Sequence, residues 1–324
     1  MPPTPSQIVP PELEGPLDRA VRALFGASWG KARSWIGAGK VRVGGTVVLE
    51  PTARVRAGMS IDLNERARRP RAGELSGDEV VFADAQVIVV AKPAGVSTVP
   101  YDDGEIDTLD LRVRGWMGGQ GLSPRGSRPT LGIVHRLDKE TTGLVVFTRT
   151  WLAKQSLSAQ FRKHTVHRRY FAIAHGDVRS RVLRSVLVGD RGDGLRGSAR
   201  GARGKIVTKA EGGPPDGREA VTHVERLEAL RGATLVACRL ETGRTHQIRI
   251  HLSEAGHPVV GERVYVRRFG GALIEAPRLM LHAAELGFVH PATEREMRWE
   301  QPMPGDMREV LERLRRELAE GHGR

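Results

Sequence analysis

The segment from Gly132 to Val146 constrains the fold of this chain more than any other. Its sequence, GIVHRLDKETTGLVV, places a dense group of charged side chains directly before an apolar run. Such a run favours a buried β-strand, and a loop beside a strand can present a carboxylate rigidly at the rim of a sheet. We therefore predict a loop carrying Asp138, followed by a strand over Leu144–Thr148.

Asp138 is the first candidate for chemistry in this loop. Arg136 lies two residues before it, and a neighbouring opposite charge favours the ionised carboxylate. An ionised carboxylate can act as a nucleophile or base, but it must be protonated before it acts as an acid. An isolated Arg-Xaa-Asp would more often be a structural ion pair or a loop cap. The surrounding string, from His135 through Leu144, is much more specific.

A second dense segment, ETGRTHQIRIHL, covers residues 241–252 and follows an apolar strand pattern at Thr234–Glu241. Thr242 or Thr245 is expected to cap a helix that ends by Gly256. Two pairs of histidines raise the question of a metal site: His246 with His251, and His164 with His167. Neither pair has a carboxylate or thiol at metal-site spacing, so no metal is predicted.

Composition indicates a polyanionic partner. The 324 residues contain 51 Lys and Arg against 38 Asp and Glu, a net charge of +13. RNA or DNA is the obvious partner, although a basic protein without one would look similar. No stretch approaches the roughly 18 apolar residues of a membrane span. The start, Met1–Pro5, lacks the apolar segment of a signal peptide, so a cytoplasmic location is expected.

The length suggests two domains, which we place at residues 13–72 and 78–315. In the first, helical spacing at Leu17–Leu24 precedes a second helix capped by Ser28, and a hairpin turns at Gly44-Gly45. Residues 112–130 look like a loop. Residues 189–218 are either a basic flap over RNA or a disordered insertion. The basic residues of that stretch include Arg191, Arg196, Arg200, Arg203 and Lys205.

Together the two dense segments resemble the signature regions of the RluA-type pseudouridine synthases, which isomerise uridine in RNA. The phrase Ala91–Val96 resembles the family's Asn-Lys-Pro-Xaa-Gly loop, with Ala91 in place of Asn. The resemblance implies that Asp138 is the nucleophile, that Arg244 pairs with it, and that Tyr170 acts in the active site. It also implies that Leu281 helps to line the base pocket.

Further RNA contacts follow from the same resemblance. His135 and Arg136 would meet RNA, Arg136 by entering the space of a flipped nucleotide or by holding a phosphate. The first domain resembles the small RNA-binding domain named after the fourth small-subunit ribosomal protein, with Gly-Gly replacing its usual Asn-Gly turn. In it, Lys31, Arg33 and Lys40 are the candidate RNA-binding residues.

The implied fold is α+β: a mixed, mostly antiparallel sheet flanked by helices, preceded by a small α/β RNA-binding domain. The implied activity is pseudouridine formation by a monomer without a cofactor. Large-subunit ribosomal RNA is the expected substrate. Transfer RNA is an alternative substrate. A non-catalytic RNA-binding assembly factor and a metal-dependent nuclease or phosphotransfer enzyme are alternative classes. The second lacks a clustered acidic triad.

Overall fold

The computed structural model describes residues 6–48, 51–67, 73–101, 105–122, 130–191, 193–199, 205–208, 214, 216–267 and 269–321. The chain divides into two compact units. One comprises residues 1–74 and 99–116, and the other comprises residues 75–98 and 117–324. The sequence-based ranges, 13–72 and 78–315, did not anticipate that residues 99–116 belong with the first unit.

The first unit contains short strands and two helices packed around one apolar core. Its elements are β1 (Ser6–Ile8), a 3-10 helix (Pro11–Leu13), β2 (Gly15–Pro16), α1 (Leu17–Leu24), α2 (Trp29–Gly37), β3 (Val41–Val43), β4 (Thr46–Val47), β5 (Arg54–Val55) and β6 (Ser60–Leu63). One sheet has the order β1-β6-β3-β4, and β2 pairs with β5. Leu17, Val21, Ile36 and Ile61 are fully buried in the core.

Local sequence signals explain these elements. The Ser28 hydroxyl accepts a hydrogen bond from the backbone N–H of Lys31 over 3.2 Å, which caps α2 as predicted. Gly44 and Gly45 both have positive φ, at 56° and 81°, in the turn between β3 and β4. A two-residue hairpin turn of this kind favours glycine. The predicted hairpin is therefore confirmed.

The second unit is built on one large sheet. Its elements, with the helix that crosses the unit boundary, are a 3-10 helix (Gly77–Glu79), β7 (Val80–Ala83), β8 (Val87–Lys92), α3 (Leu109–Gly119), β9 (Gly132–Ile133), β10 (Thr142–Thr148), α4 (Trp151–Arg162), β11 (His167–His175), β12 (Arg181–Val188), β13 (Gly197–Ser198), β14 (Arg218–Leu230), β15 (Ala233–Leu240), α5 (Gln247–Glu254), β16 (Leu281–Val289), β17 (Glu296–Glu300) and α6 (Gly305–Gly321).

The sheet has eleven strands, and its main path runs β13-β12-β14-β15-β11-β16-β10-β8-β7. Among the described strands, only β10 and β16 pair in parallel. β9 and β17 attach antiparallel to β10 and β16. The expected α+β class with a mixed, mostly antiparallel sheet is thus confirmed.

The parallel pair at the sheet centre positions the loop before β10. Gly143 has φ of 112°, and a Cβ there would lie 2.2 Å from the backbone oxygen of Ala283. Only glycine permits this approach between β10 and β16. All seven residues of β10 are buried, so the loop carrying Asp138 enters a rigid strand.

The structure differs from the sequence-based expectation in two stretches that were predicted to be loops. Residues 109–119 form helix α3 rather than belonging to a loop that begins at 112. In the basic stretch 189–218, Gly197–Ser198 pairs with β12 as β13, and Arg191 forms ion pairs with Asp193 and Glu254. Arg200 and Arg203 lie outside the described residues. Across the described chain, no helix is both long and apolar enough to span a membrane.

Candidate active site

A cavity of about 680 Å³ opens in the second unit, where the two signature segments meet. Asp138 reaches it from the loop before β10, Tyr170 from β11 and Leu281 from the start of β16. Arg244 and Arg249 reach it from the second segment. The structure therefore brings the predicted Asp138, Tyr170, Arg244 and Leu281 to one cleft. Their catalytic and binding roles remain predictions.

Asp138 is held by Arg249. The Nη1 of Arg249 donates to Oδ2 of Asp138 over 3.3 Å, and its Nε and Nη2 donate to the two carboxylate oxygens of Glu262 over 2.7 and 2.8 Å. Burial alone would lower the pKa of Arg249, but Glu262 and Asp138 outweigh it and raise that pKa above its ordinary value. The guanidinium is thus fixed between two carboxylates.

The predicted pairing of Arg244 with Asp138 is wrong. Arg244 lies in the turn before α5, where its backbone N–H donates to Oε1 of Gln247 over 3.0 Å. Its Nε donates to the backbone oxygen of Glu219 over 3.0 Å. Arg249 lies in the first turn of α5 instead, and that position aims its side chain at the loop. Arg244 still lines the cleft, as does Arg136.

His246 is a residue that the sequence did not single out for the site. It occupies the N-cap position of α5 in the left-handed region, with φ of 57°, where Thr242 or Thr245 was expected. Its Nδ1 lies 2.7 Å from the Tyr265 hydroxyl, and its Nε2 lies 3.8 Å from Oδ1 of Asp138. Burial lowers the pKa of His246 despite the opposing charge of Asp138. A neutral imidazole is therefore expected near pH 7.

Tyr170 is buried on β11. Burial raises the pKa of its hydroxyl; the charge of Arg168 opposes this shift and that of Asp138 adds to it. The hydroxyl accordingly keeps its proton at neutral pH. Leu281, also buried, gives the cleft an apolar wall near the same carboxylate. A ring and an aliphatic side chain together suit a planar base.

His135 and Arg136 occupy different environments. The His135 ring stacks on Phe161 with centroids 4.7 Å apart, and its Nε2 accepts a hydrogen bond from the Val146 N–H over 3.0 Å. Burial lowers the pKa of His135 to about 3, so this imidazole braces β10 in its neutral form. Arg136 is exposed, and its Nη2 donates to the Thr245 hydroxyl over 3.3 Å. Contact of either residue with RNA remains a prediction.

Lys92 stabilises the loop that carries Asp138. Its Nζ donates to the backbone oxygens of Pro93, Val96 and Lys139 over 2.8, 2.7 and 2.8 Å. Burial lowers the pKa of Lys92 to about 7, although Glu140 and Asp138 oppose the shift. The family's Lys-Pro-Xaa-Gly phrase includes Lys92. The sequence pattern indicated only a turn there, and it did not predict that the amine is buried.

Two of the three predicted RNA-binding residues of the first unit contact other side chains, and their contact with RNA remains a prediction. Nε of Arg33 donates to Oδ2 of the buried Asp18 over 2.8 Å, and Nζ of Lys31 lies 5.1 Å from the Trp35 ring centroid. Lys40 is partly buried. Within the residues described, no group of three His, Cys, Asp or Glu side chains is arranged to hold a metal ion.

Comparison with known proteins identifies the class. Residues 86–254 match the family model described as RNA pseudouridylate synthase. The chain belongs to this family and is an RNA pseudouridine synthase. Its resemblance to the family, predicted from the two signature segments, is confirmed.

Among individual relatives, the chain is 35% identical to ribosomal large subunit pseudouridine synthase D of Zymomonas mobilis, over 92% of this chain and 93% of that protein. It is 36% identical to the protein of the same name from Pseudomonas aeruginosa, over 95% of each. Among solved structures, human RNA pseudouridylate synthase domain containing 4 matches with a TM-score of 0.59 and 23% identity. That match covers 74% of this chain and 93% of the other, and it supports the fold.

Proposed function

We propose that this enzyme converts specific uridines of large-subunit ribosomal RNA into pseudouridine, with Asp138 as the nucleophile. Relatives aligned over nearly their whole length are named ribosomal large subunit pseudouridine synthase D. The observation that carries the proposal is the clamp on Asp138: a partly exposed carboxylate, held by Arg249, at the mouth of a cleft with an apolar wall.

The reaction breaks the bond between C1′ of the ribose and N1 of the uracil, and forms a bond between C1′ and C5. C5 loses a proton and N1 gains one, so atoms and electrons balance and no redox partner is needed. A stacked base is out of reach, so the nucleotide must flip into the cleft. Asp138 attacks the ribose or the base, either of which an ionised carboxylate can do.

The other cleft residues have supporting roles in this proposal. Tyr170 stacks on the flipped uracil, and its hydroxyl takes part in the proton transfers. Leu281 packs against the base. Arg136, exposed at the rim, fills the space that the flipped nucleotide leaves or holds a phosphate.

We also propose that residues 13–72 are an RNA-binding domain of the kind named after the fourth small-subunit ribosomal protein, and that the protein is a cytoplasmic monomer. Lys31→Gln and Lys40→Gln test the domain, because Arg33 also neutralises buried Asp18 and is a poorer probe. Both variants should weaken RNA binding and flatten its salt dependence. Unchanged RNA binding by both variants would show that this domain does not bind the RNA. Sedimentation of the free protein tests the monomer.

The function is tested by mapping pseudouridines in RNA from cells with and without this gene. We expect particular sites in large-subunit ribosomal RNA to be lost, and restored by the wild-type gene. Loss of sites in transfer RNA alone would show that transfer RNA, and not large-subunit ribosomal RNA, is the substrate. Restoration of the sites by Asp138→Asn would show that Asp138 is not the nucleophile.

A further inference from the structure

Arg168 is a buried cation that the mechanism above does not use. It lies on β11 two residues before Tyr170, lines the same cleft, and is only 6% exposed. Its Nε is buried and has no hydrogen-bond partner among the described residues. Its guanidinium lies 5.5 Å from the centroid of the Phe161 ring.

This arrangement is unfavourable in the free protein. A buried guanidinium is always charged, and an unpaired buried charge is costly unless an anion compensates it. Contact with an aromatic ring offsets only a small part of that cost. The neighbouring Arg169 shows the usual solution, since it forms ion pairs with Glu225 and Glu285. Arg168 has no such carboxylate in the described chain.

Two further arginines, Arg218 and Arg244, line the same cleft. A Cβ on Gly243 would lie 2.6 Å from Nη1 of Arg168, so this nitrogen packs against the residue that precedes Arg244. Arg244 has no carboxylate partner among the described residues, and its Nε is anchored on the Glu219 carbonyl. Burial lowers the pKa of Arg244, and the charge of Arg218 lowers it further. The nearby charge of Glu219 opposes this shift only in part, so the pKa of Arg244 stays below its ordinary value.

The cluster also continues beyond the catalytic cleft. A second cavity of about 400 Å³ shares Arg218, Gly243 and Arg244 with it, and adds Arg196 and one carboxylate, Asp216. A chain of phosphates passing from one cavity to the other would follow a lining that contains Arg168, Arg218, Arg244 and Arg196. Paired N–H donors fit phosphate oxygens well.

We propose that Arg168, Arg244 and Arg218 form a phosphate site for the RNA backbone beside the flipped nucleotide, with Arg168 as its buried anchor. The inference rests on the proposed function, whose substrate it positions. It also reassigns Arg244 from the catalytic aspartate to the RNA backbone. The free enzyme then holds an unmatched charge that the bound phosphate neutralises.

RNA binding tests the site. Affinity for unmodified large-subunit ribosomal RNA made by transcription is measured for wild type, Arg168→Gln and Gly243→Ala over a range of KCl concentrations. Arg168→Gln should weaken binding about tenfold and flatten the slope of log affinity against log salt by about 0.7–0.9. Gly243→Ala keeps the charge but displaces it, and Gly243 has no positive φ to prevent the exchange. It should weaken binding in the same direction.

The matched control is Arg239→Gln, which removes one charge from an exposed position on β15 outside both cavities. It should leave affinity and slope near the wild-type values. Pseudouridine formation by wild type on the same RNA is assayed in parallel. Absence of product would reject the proposed substrate. Product formation with unchanged binding by Arg168→Gln would reject the phosphate site alone.

Thermal unfolding separates a ligand role from a structural one. Arg168→Met replaces an unmatched buried charge by an apolar chain, so the free variant should have the wild-type Tm or a higher one. Sodium phosphate should raise the Tm of wild type above that in NaCl of equal ionic strength, and should not do so for Arg168→Met. A large fall in the Tm of free Arg168→Met, or equal phosphate effects on both proteins, would overturn the inference whichever RNA is the substrate.

Discussion

Arg249 donates from Nη1 to Oδ2 of Asp138 over 3.3 Å, while its two other nitrogens, Nε and Nη2, donate to Glu262. The Glu262 side chain is fully buried, and its Oε1 also accepts backbone N–H groups from Arg263 and Val264 over 3.0 and 2.8 Å. The orientation of Asp138 therefore depends on a carboxylate that does not touch it.

Arg249 should be the arginine whose loss damages catalysis most. Arg249→Ala leaves Glu262 buried and unpaired, which should lower the free energy of unfolding by about 3–5 kcal/mol. Arg249→Lys should retain more stability but little turnover, because an ammonium cannot bridge two carboxylates as a planar guanidinium does. Urea unfolding and single-turnover assays measure these effects. Arg244→Lys is the comparison, and a greater loss of turnover in it than in Arg249→Lys would contradict this assignment.

Glu262→Gln tests the indirect part of the clamp. The amide keeps the shape but offers one acceptor, so Arg249 loses its two-point attachment. A misplacement of Asp138 on the order of 1 Å would cut kcat by up to roughly 100-fold while RNA affinity stays unchanged. Glu309→Gln, at an exposed position on α6, is the control. Equal kcat values for the two variants would show that Glu262 does not position Asp138.

Gly143→Ala should disrupt the strand pair that carries the catalytic loop. The added Cβ would meet the Ala283 backbone oxygen at 2.2 Å, at a φ of 112° that alanine rarely adopts. We expect destabilisation by about 3 kcal/mol or more. Gly189→Ala is the control, because a Cβ there meets nothing within 4 Å and φ is not positive. Similar Tm values for the two variants would mean that β10 and β16 do not require the close approach.

Lys92 predicts a pH dependence of stability. Its pKa is about 7 in the folded protein and 10.5 ordinarily. Between these values the unfolded chain binds a proton that the folded chain lacks, so the free energy of unfolding rises with pH. Lys92→Met removes this term. The stability of wild type relative to Lys92→Met, from urea unfolding, should increase between pH 7 and 10, and a constant difference would show that the buried amine stays charged.

Much of the site was accessible from sequence because its signals are local. The apolar run after Thr142 fixed β10, so Asp138 had to lie in the preceding loop. Gly256 marked the limit of α5, which ends at Glu254. Only the family resemblance predicted that Asp138 and Arg244 lie in one cleft, because no periodicity relates residues more than a hundred positions apart.

The missed features depend on tertiary packing. Arg244 and Arg249 are both arginines in one short segment, and the choice between them depends on where α5 begins. Nothing in the sequence distinguishes Glu262 from other acidic residues. Its role is evident only in the folded protein, where Arg249 and three backbone N–H groups donate to it. Glycines at the end of α3 suggested a loop, whereas the apolar side chains of Leu109 and Val113 bury one face of a helix.

The direct test of the account is pseudouridine formation by purified wild type and Asp138→Asn on the large-subunit ribosomal RNA transcript. The amide preserves the shape of the side chain but removes the charge that makes it a nucleophile. We expect wild type to form pseudouridine at discrete sites, and Asp138→Asn to bind the RNA with near wild-type affinity while turning over roughly a thousandfold more slowly or not at all. Substantial turnover by Asp138→Asn would contradict the central claim.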